Sequence, residues 1–240
     1  MPVYPLGEAI FFPPVYHAEE GLLAWGGDLS PERLIAAYQR GVFPWYAEDE
    51  PILWWSPEER MLLFPKDIHI ARRLLRTIKT GGMRASADTC FTTVIRRCAE
   101  VERAPGNGTW IHPEMVDAYT RLHTLGLAHS IEIMRGQTLL GGLYGVSLGG
   151  VFFGESMFSD ARDASKIALA VLARQCERWS FDFIDCQMWT AHLASMGARP
   201  VNRRSFLTRL KQSLRKTTLK GPWRLDEDIL FCPTDTPHEP

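Results

Sequence analysis

Ser130-Ile-Glu-Ile-Met134, Thr138-Leu-Leu-Gly-Gly-Leu-Tyr-Gly-Val-Ser-Leu148 and Val151-Phe-Phe-Gly-Glu-Ser-Met-Phe158 are three apolar runs separated by Gly136-Gln137 and Gly149-Gly150. Glycine supplies the positive φ that two-residue hairpin turns need, so the runs are predicted to form an antiparallel meander. A helix follows. From Asp163 onward Ala164, Ile167, Ala168, Val171, Leu172 and Cys176 recur at helical spacing, and Asp163 is placed to cap the free N–H groups. Phe183-Ile-Asp-Cys-Gln-Met-Trp189 then reads as a buried strand. Alternation puts Phe183, Asp185, Gln187 and Trp189 on one face and Ile184, Cys186 and Met188 on the other.

Asp185 is the residue this pattern makes conspicuous. A carboxylate in an apolar strand is costly unless it is paired or used. It is either a satisfied structural carboxylate or part of a site. Glu155 raises the same question one strand earlier, and the repetition points toward a site.

Working outward, the 240 residues are 45% hydrophobic and 23% charged, with a net charge of -1. That is the composition of an ordinary globular chain. No run is long and apolar enough to span a bilayer as a helix. Met1-Pro-Val-Tyr-Pro-Leu-Gly-Glu8 has no basic region ahead of an apolar core, so no signal peptide is expected. The five scattered cysteines then read as reduced thiols, and no histidine pair has metal-ligand spacing beside them. No metal is expected. Charge is unevenly placed. Arg199 to Lys220 holds eight Lys and Arg and no acid, while Glu48-Asp49-Glu50 and Glu58-Glu59 lie in the first quarter.

Toward the N-terminus, Ser30-Pro31 starts a helix that runs to about Arg40, and Gly41 ends it. Trp45, Trp54 and Trp55 follow within eleven residues, in segments broken by proline. They make either a small aromatic core or, for Trp45 beside its proline turn, a face on which a nucleobase stacks. Asp67 is placed to cap a helix reaching Lys79, with Ala71, Leu74, Leu75 and Ile78 on one side and Arg72, Arg73, Arg76 and Lys79 on the other. Further helices are predicted from Asp88 and from Pro113, after the flexible loop 104–109. A short one follows at His192–Gly197 and a basic one from Arg203 to about Lys216. The tail beyond Leu230 is expected to be loose. The fold class is α+β, in two units: a small aromatic-rich domain over 1–63, then a larger domain over 64–240.

The order of elements in the larger domain resembles the N-acetyltransferase-like (GNAT) acyltransferases, which have a mixed sheet flanked by helices. Members using acetyl-CoA cradle its pyrophosphate in a glycine-rich turn. Here that turn is Ser159-Asp-Ala-Arg-Asp-Ala164, with two acids and no glycine. An acyl donor other than acetyl-CoA is expected. A non-catalytic RNA-binding protein would account for the basic helices and tryptophans, but not for Glu155, Asp185 and Gln187.

A longer set of segments narrows the reading. Gly21-Leu-Leu-Ala-Trp-Gly-Gly-Asp-Leu-Ser30, Ala37-Tyr-Gln-Arg-Gly-Val-Phe-Pro-Trp45 and Ile52-Leu-Trp-Trp-Ser-Pro57 come first. Gly108-Thr-Trp-Ile111, Ala128-His-Ser-Ile-Glu132, Gly141-Gly-Leu-Tyr-Gly-Val146, Phe153-Gly-Glu-Ser-Met-Phe-Ser159, Ala164-Ser-Lys166 and Ile184-Asp-Cys-Gln187 continue it. Together they resemble the leucyl/phenylalanyl-tRNA–protein transferase family over most of residues 21–200. Ser195-Met196-Gly197 departs from the usual Ser-Leu-Gly.

The resemblance implies transfer of Leu or Phe, and Met less well, from aminoacyl-tRNA to the α-amine of proteins beginning with Arg or Lys. The product feeds N-degron proteolysis, and no cofactor is used. Asp185, Gln187 and Glu155 become the catalytic candidates: Asp185 as base or charge stabiliser, Gln187 orienting the amine, Glu155 at the aminoacyl end. Alternatively, Asp185 or Glu155 holds the cationic side chain of the acceptor. Trp45 and Trp110 match positions near the terminal adenosine. Leu143, Met157, Leu169, Leu172 and Ile184 match an apolar pocket for the aminoacyl side chain, though each would also serve as ordinary core. The tRNA phosphates are assigned, from charge placement, to Arg72, Arg73, Arg76, Lys79, Arg204 and Arg209. A monomeric, cytoplasmic enzyme is expected. A peptidoglycan-type aminoacyl-tRNA transferase shares the donor and differs in the acceptor.

Overall fold

The computed structural model describes residues 3–101 and 110–230. The predicted loop 104–109 and the tail beyond Leu230 lie outside them. The first unit is a four-stranded sheet in the order β1-β2-β4-β3, from β1 (Tyr4–Leu6), β2 (Leu22–Gly26), β3 (Phe43–Pro44) and β4 (Leu53–Trp55). Helix α1 (Pro31–Tyr38) lies between β2 and β3, and the Ser30 side chain accepts from the Arg33 amide, as a capping serine should.

The larger sheet has seven strands: β5 (Glu59–Leu63), β6 (Arg84–Ala87), β7 (Ala128–Arg135), β8 (Thr138–Leu148), β9 (Val151–Ser159), β10 (Phe183–Asp185) and β11 (Arg199–Asn202). Their order is β11-β5-β10-β9-β8-β7-β6. The meander β7-β8-β9 is antiparallel, and helix α5 (Ala164–Arg178) carries the chain over to β10, which runs parallel to β9. That crossover from an antiparallel meander to a parallel neighbour is the GNAT-like arrangement. Strand β5 pairs with both β10 and β11, so residues 59–63, which sequence placed with the first unit, supply hydrogen bonds to the larger sheet.

Each face of the larger sheet has its own apolar cluster. One face packs Met61, Leu63, Ile131, Leu143, Phe152 and Ile184 against α5 and α2 (Arg72–Thr80). The other packs Leu62, Tyr144, Val146, Phe153 and Phe183 against α3 (Phe91–Ala99), α4 (Pro113–Thr124) and α7 (Arg203–Ser213). The first unit joins this second cluster through Leu23, Phe43 and Trp54 of its sheet and Tyr38 of α1. It therefore shares its core with the larger domain.

Several local expectations are corrected. Helix α2 begins at Arg72, because Pro65–Asp67 forms a separate 3-10 turn and Asp67 pairs with Arg199. Helix α3 begins at Phe91. Asp88 adopts positive φ, and its carboxylate accepts from the amides of Ser130 and Trp223 and bonds His129. Asp163 occupies the N-cap position of α5 in a left-handed conformation and makes no side-chain cap. The Ser165 amide is satisfied by Ser159 Oγ instead. The predicted strand 183–189 ends at Asp185, and Gln187 has φ 59°. That backbone turn breaks the alternation and sends Met188 and Trp189 to the surface, 48% and 65% exposed.

Candidate active site

The site forms where β9 and β10 part. The two strands pair only from Val151–Phe153 with Phe183–Asp185. Beyond that point the backbones diverge at Gly154 and at the turn of Gln187, and a cavity of about 1600 Å³ opens between them.

Glu155 is aimed by a β-bulge. Tyr144 is opposite Ser156 and Gly145 is opposite Gly154, so Glu155 is the extra residue of β9. A bulge re-aims one side chain at the expense of one ladder position. Gly145 permits it: a Cβ there would lie 2.1 Å from the Phe153 carbonyl oxygen. Glu155 is buried, and its Oε1 accepts from Gln187 Nε2 at 2.8 Å. Its Oε2 accepts from the Tyr119 hydroxyl at 3.0 Å, and that hydroxyl bonds Tyr38 of the small domain. Burial pushes the Glu155 carboxyl up to about 7, against the hydrogen bonding of Tyr38 and Tyr119. Neighbouring Asp185 adds to the rise and Arg60 opposes it. A carboxyl near neutrality, facing a cavity and bonded to an amide, can hold or release a proton in the physiological range.

Asp185 differs. It is fully buried and is absent from the cavity lining. Arg60, itself buried, donates to both of its oxygens, Nε to Oδ1 at 3.2 Å and Nη2 to Oδ2. Asp185 Oδ1 also accepts from the Gln187 amide at 2.9 Å. Arg60 is held in turn by the Gly41 carbonyl and by the rings of Phe43 and Phe206. Asp185 thus fixes the turn that presents Gln187, and its lone pairs face Arg60 and that turn. Arg60, Tyr38 and Tyr119 were passed over in the sequence. A charge in the run Arg60-Met-Leu-Leu-Phe64 is as conspicuous as Asp185, whereas nothing local distinguishes Tyr119 from core.

The other candidates divide cleanly. Leu143, Met157, Leu169, Leu172 and Ile184 all line the cavity on its α5 side, and Trp45 and Trp110 line it from the small-domain side. Trp45 is 43% exposed and meets Trp55 edge-on at 5.7 Å. The basic residues lie elsewhere. Arg72, Arg73, Arg76, Lys79, Arg204 and Arg209 are exposed and outside the cavity lining. Helix α2 packs on one face of the larger sheet and α7 on the other, so the two basic helices do not share a face. Arg209 also lies over the Phe64 ring at 5.3 Å. No group of three or more His, Cys, Asp and Glu side chains converges among the described residues, and no metal ligands are assigned.

At the turn where acetyl-CoA users bind phosphate, Asp160 pairs with Arg97, and Asp163 lies 3.8 Å from Lys166. The acids that sequence flagged do sit at the N-terminus of α5, a poor cradle for pyrophosphate.

The family model described as "Leucyl/phenylalanyl-tRNA protein transferase" matches residues 62–211, and that of the "Leucyl/phenylalanyl-tRNA protein transferase N-terminal domain" matches residues 27–58. A leucyl/phenylalanyl-tRNA–protein transferase from Anaeromyxobacter sp. (strain Fw109-5) is 55% identical over 227 residues, 94% of this chain and 97% of that one. One from Syntrophobacter fumaroxidans (strain DSM 10017 / MPOB) is 53% identical over 93% of this chain and 96% of the relative. Among solved structures, a GCN5-related N-acetyltransferase from Kribbella flavida aligns with TM-score 0.38 and 9% identity, over 71% of this chain and 60% of that one. L-PGS from Bacillus licheniformis aligns with TM-score 0.39 and 10% identity, over 84% and 65%.

Proposed function

The chain belongs to the leucyl/phenylalanyl-tRNA protein transferase family and is an aminoacyltransferase, and on that premise we propose how the cavity does its work. The enzyme takes Leu or Phe, and Met less well, from aminoacyl-tRNA and joins it to the α-amine of a protein whose first residue is Arg or Lys. The product is marked for N-degron proteolysis. It acts as a cytoplasmic monomer. The observation that carries this reading is the contact of Glu155 with Gln187, placed between an apolar pocket and two tryptophans.

The donor's side chain occupies Leu143, Met157, Leu169, Leu172 and Ile184, and its terminal adenine stacks on Trp45 and Trp110. An apolar pocket discriminates by about 1–3 kcal/mol per methylene, so shape must exclude β-branched side chains. The aminoacyl ester is already activated, and no covalent enzyme intermediate is required. An α-amine has an ordinary pKa of about 7.7–8.0. Gln187, whose Nε2 is engaged by Glu155, turns its carbonyl oxygen to the incoming amine and orients it. The amine nitrogen attacks the ester carbonyl carbon, a C–N bond forms, and the C–O bond to the ribose breaks. Glu155 accepts the proton that nitrogen loses and returns it to the departing ribose oxygen, which leaves as a hydroxyl. Asp185 acts one step back, as the positioning residue for Gln187. Holding amine and ester together supplies most of the acceleration.

The phosphates of the tRNA are assigned to the basic helices. Since α2 and α7 lie on opposite faces, a duplex lying flat on one face meets Arg72, Arg73, Arg76 and Lys79 or Arg204 and Arg209. Transfer rates that fall as salt rises support this assignment, and a flat salt profile removes it.

The test is transfer of labelled leucine from leucyl-tRNA to a peptide beginning with arginine, beside the same peptide beginning with alanine. Label on the arginine peptide alone is expected. Label on neither, with charged tRNA still bound, would replace the reading by RNA binding without catalysis.

A further inference from the structure

The small sheet carries an apolar face that reaches beyond the donor cavity. Ala24 is opposite Trp54 in the β2–β4 ladder, and both are fully buried. Trp25 is opposite Leu53, and Leu22 is opposite Trp55 across the bulge at Leu23. Side chains alternate along a strand, so Trp25, Leu53, Trp55 and Leu22 share the face opposite to that of Ala24 and Trp54. Leu53 and Trp55 are half-buried against the core, and Trp25 is the exposed end of this face. Leu22, Leu53 and Trp55 line the cavity, while Trp25 is 44% exposed and lies beyond it. This face therefore continues out of the cavity mouth as a platform. Its inner end is the contact of Trp55 with Trp45, and its outer end is Trp25. Trp25 and Trp55 are two ladder positions apart, about 7 Å, so the platform accommodates roughly three residues of extended chain.

Charge decides the occupant. Of the 28 acids in the chain, nine lie in residues 1–58, against two of the 27 Lys and Arg, Arg33 and Arg40. Arg33 is buried and donates to Asp28 and to the carbonyls of Gly7, Glu8 and Ala9. Glu48 and Glu50 line the cavity beside Trp45. A phosphodiester chain would bring one negative charge per nucleotide onto an acidic surface. A polypeptide beginning with a cationic residue and a free ammonium is drawn to it.

We propose that the outer face of the small sheet, from Trp55 to Trp25, is the docking track for the acceptor polypeptide, holding about the second to fourth residues while the first enters the cavity. The proposal rests on the acceptor reading above. It makes the outer face of the acidic small domain the acceptor side of the enzyme, with the tRNA meeting that domain only through its terminal adenine at Trp45 and its phosphates left to the basic remainder.

The test is steady-state leucine transfer to arginine-initiated peptides of two and eight residues, by the wild type and by Trp25→Ala. In the wild type the longer peptide should have a KM lower by about tenfold, the worth of one or two aromatic contacts. Trp25→Ala should shrink that ratio to about twofold, with the KM for leucyl-tRNA unchanged. Equal KM values for the two lengths in the wild type overturn the proposal. So does a Trp25→Ala variant whose KM rises for leucyl-tRNA instead, which would give the platform to unpaired nucleotides of the donor. A second measurement needs no variant: eight-residue peptides with Lys or with Glu at positions two to four. Lys should lower KM and Glu raise it, and equal values overturn the charge argument. Binding of the longer peptide, read by tryptophan fluorescence, separates this proposal from the function it rests on. Binding that depends on Trp25 with no transfer would keep the track and discard the reaction.

Discussion

Two carboxylates mark the ends of the paired stretch of β9 and β10, and they have opposite surroundings. Asp185 ends β10 in a fully buried ion pair with Arg60, tied also to the Gln187 amide. Glu155 follows the last paired residues of β9, bulges out of the ladder, and faces the cavity with an amide and a hydroxyl as partners. The paired carboxylate is held by a full countercharge. The unpaired one is pushed to about 7 by burial. A buried charge with a fixed partner is architecture, and one without such a partner is a proton site.

Breaking the architectural half should have the larger effect. Asp185→Asn leaves the Arg60 guanidinium buried without its countercharge, a change that costs about 3–5 kcal/mol. That is a large part of the roughly 5–15 kcal/mol that stabilises a typical domain. Urea denaturation should show it, and Arg60→Met should be similarly harmful. The double variant Arg60→Met with Asp185→Leu should recover much of the loss, since a buried pair replaced by apolar side chains is often neutral. If Asp185→Asn folds as stably as the wild type and only turnover falls, Asp185 belongs with the proton chemistry after all.

Glu155→Gln should spare the fold and lose about 10²-fold or more in turnover, the usual worth of a proton acceptor. The pH profile sharpens the contrast. Turnover at saturating substrates should rise through a limb near pH 7 as Glu155 ionises, and the variant should lack it. Stability runs the other way. The folded-state pKa is raised, so the native protein keeps a proton that the unfolded chain has already released. Glu155 therefore costs stability as pH rises from about 4.5 to about 7. Glu155→Gln should unfold at equal or higher urea than the wild type above pH 7. A lower midpoint there would mean that the carboxylate is structurally required.

Much of this was legible in the sequence, and the parts that were not share a cause. The meander and α5 follow from periodicity, which is a local property of the chain. The five apolar residues of the pocket were instead named through the family resemblance, since periodicity alone does not tell pocket from core. The partner of Asp185 is 125 residues away, so sequence could say that the carboxylate needed a partner but not that Arg60 supplies it. The bulge at Glu155 is invisible because an extra residue in a strand leaves composition unchanged. Gln187 at φ 59° is a non-glycine left-handed residue held by Asp185 and by its carbonyl, which accepts from the Met61 amide. Propensity alone continues the strand through it. Strands β6 and β11 were missed because Arg84-Ala-Ser-Ala87 and Arg199-Pro-Val-Asn202 are short edges with little β-branched content. The family segments located Glu155, Asp185 and Gln187 together, but only the backbone separated their surroundings.

The smallest expected effect tests how the cavity carboxylate is tuned. Tyr119 donates its hydroxyl to Glu155 Oε2 and couples it to Tyr38, so helices α4 and α1 both reach the proton site. A hydrogen bond to the charged form favours ionisation. Tyr119→Phe removes that bond and keeps the ring, which packs edge-on against Tyr144 at 5.6 Å. The carboxylate loses one stabilising partner, and its pKa must rise. One hydrogen bond of about 1 kcal/mol corresponds to about 0.7 pH unit. The limb in turnover should therefore move alkaline by about that much, with the plateau above it nearly unchanged. A fall in the plateau with the limb in place would mean that Tyr119 contacts substrate directly. A limb that neither moves nor weakens would mean that another group sets it, and the assignment of Glu155 as the proton acceptor would fall with it.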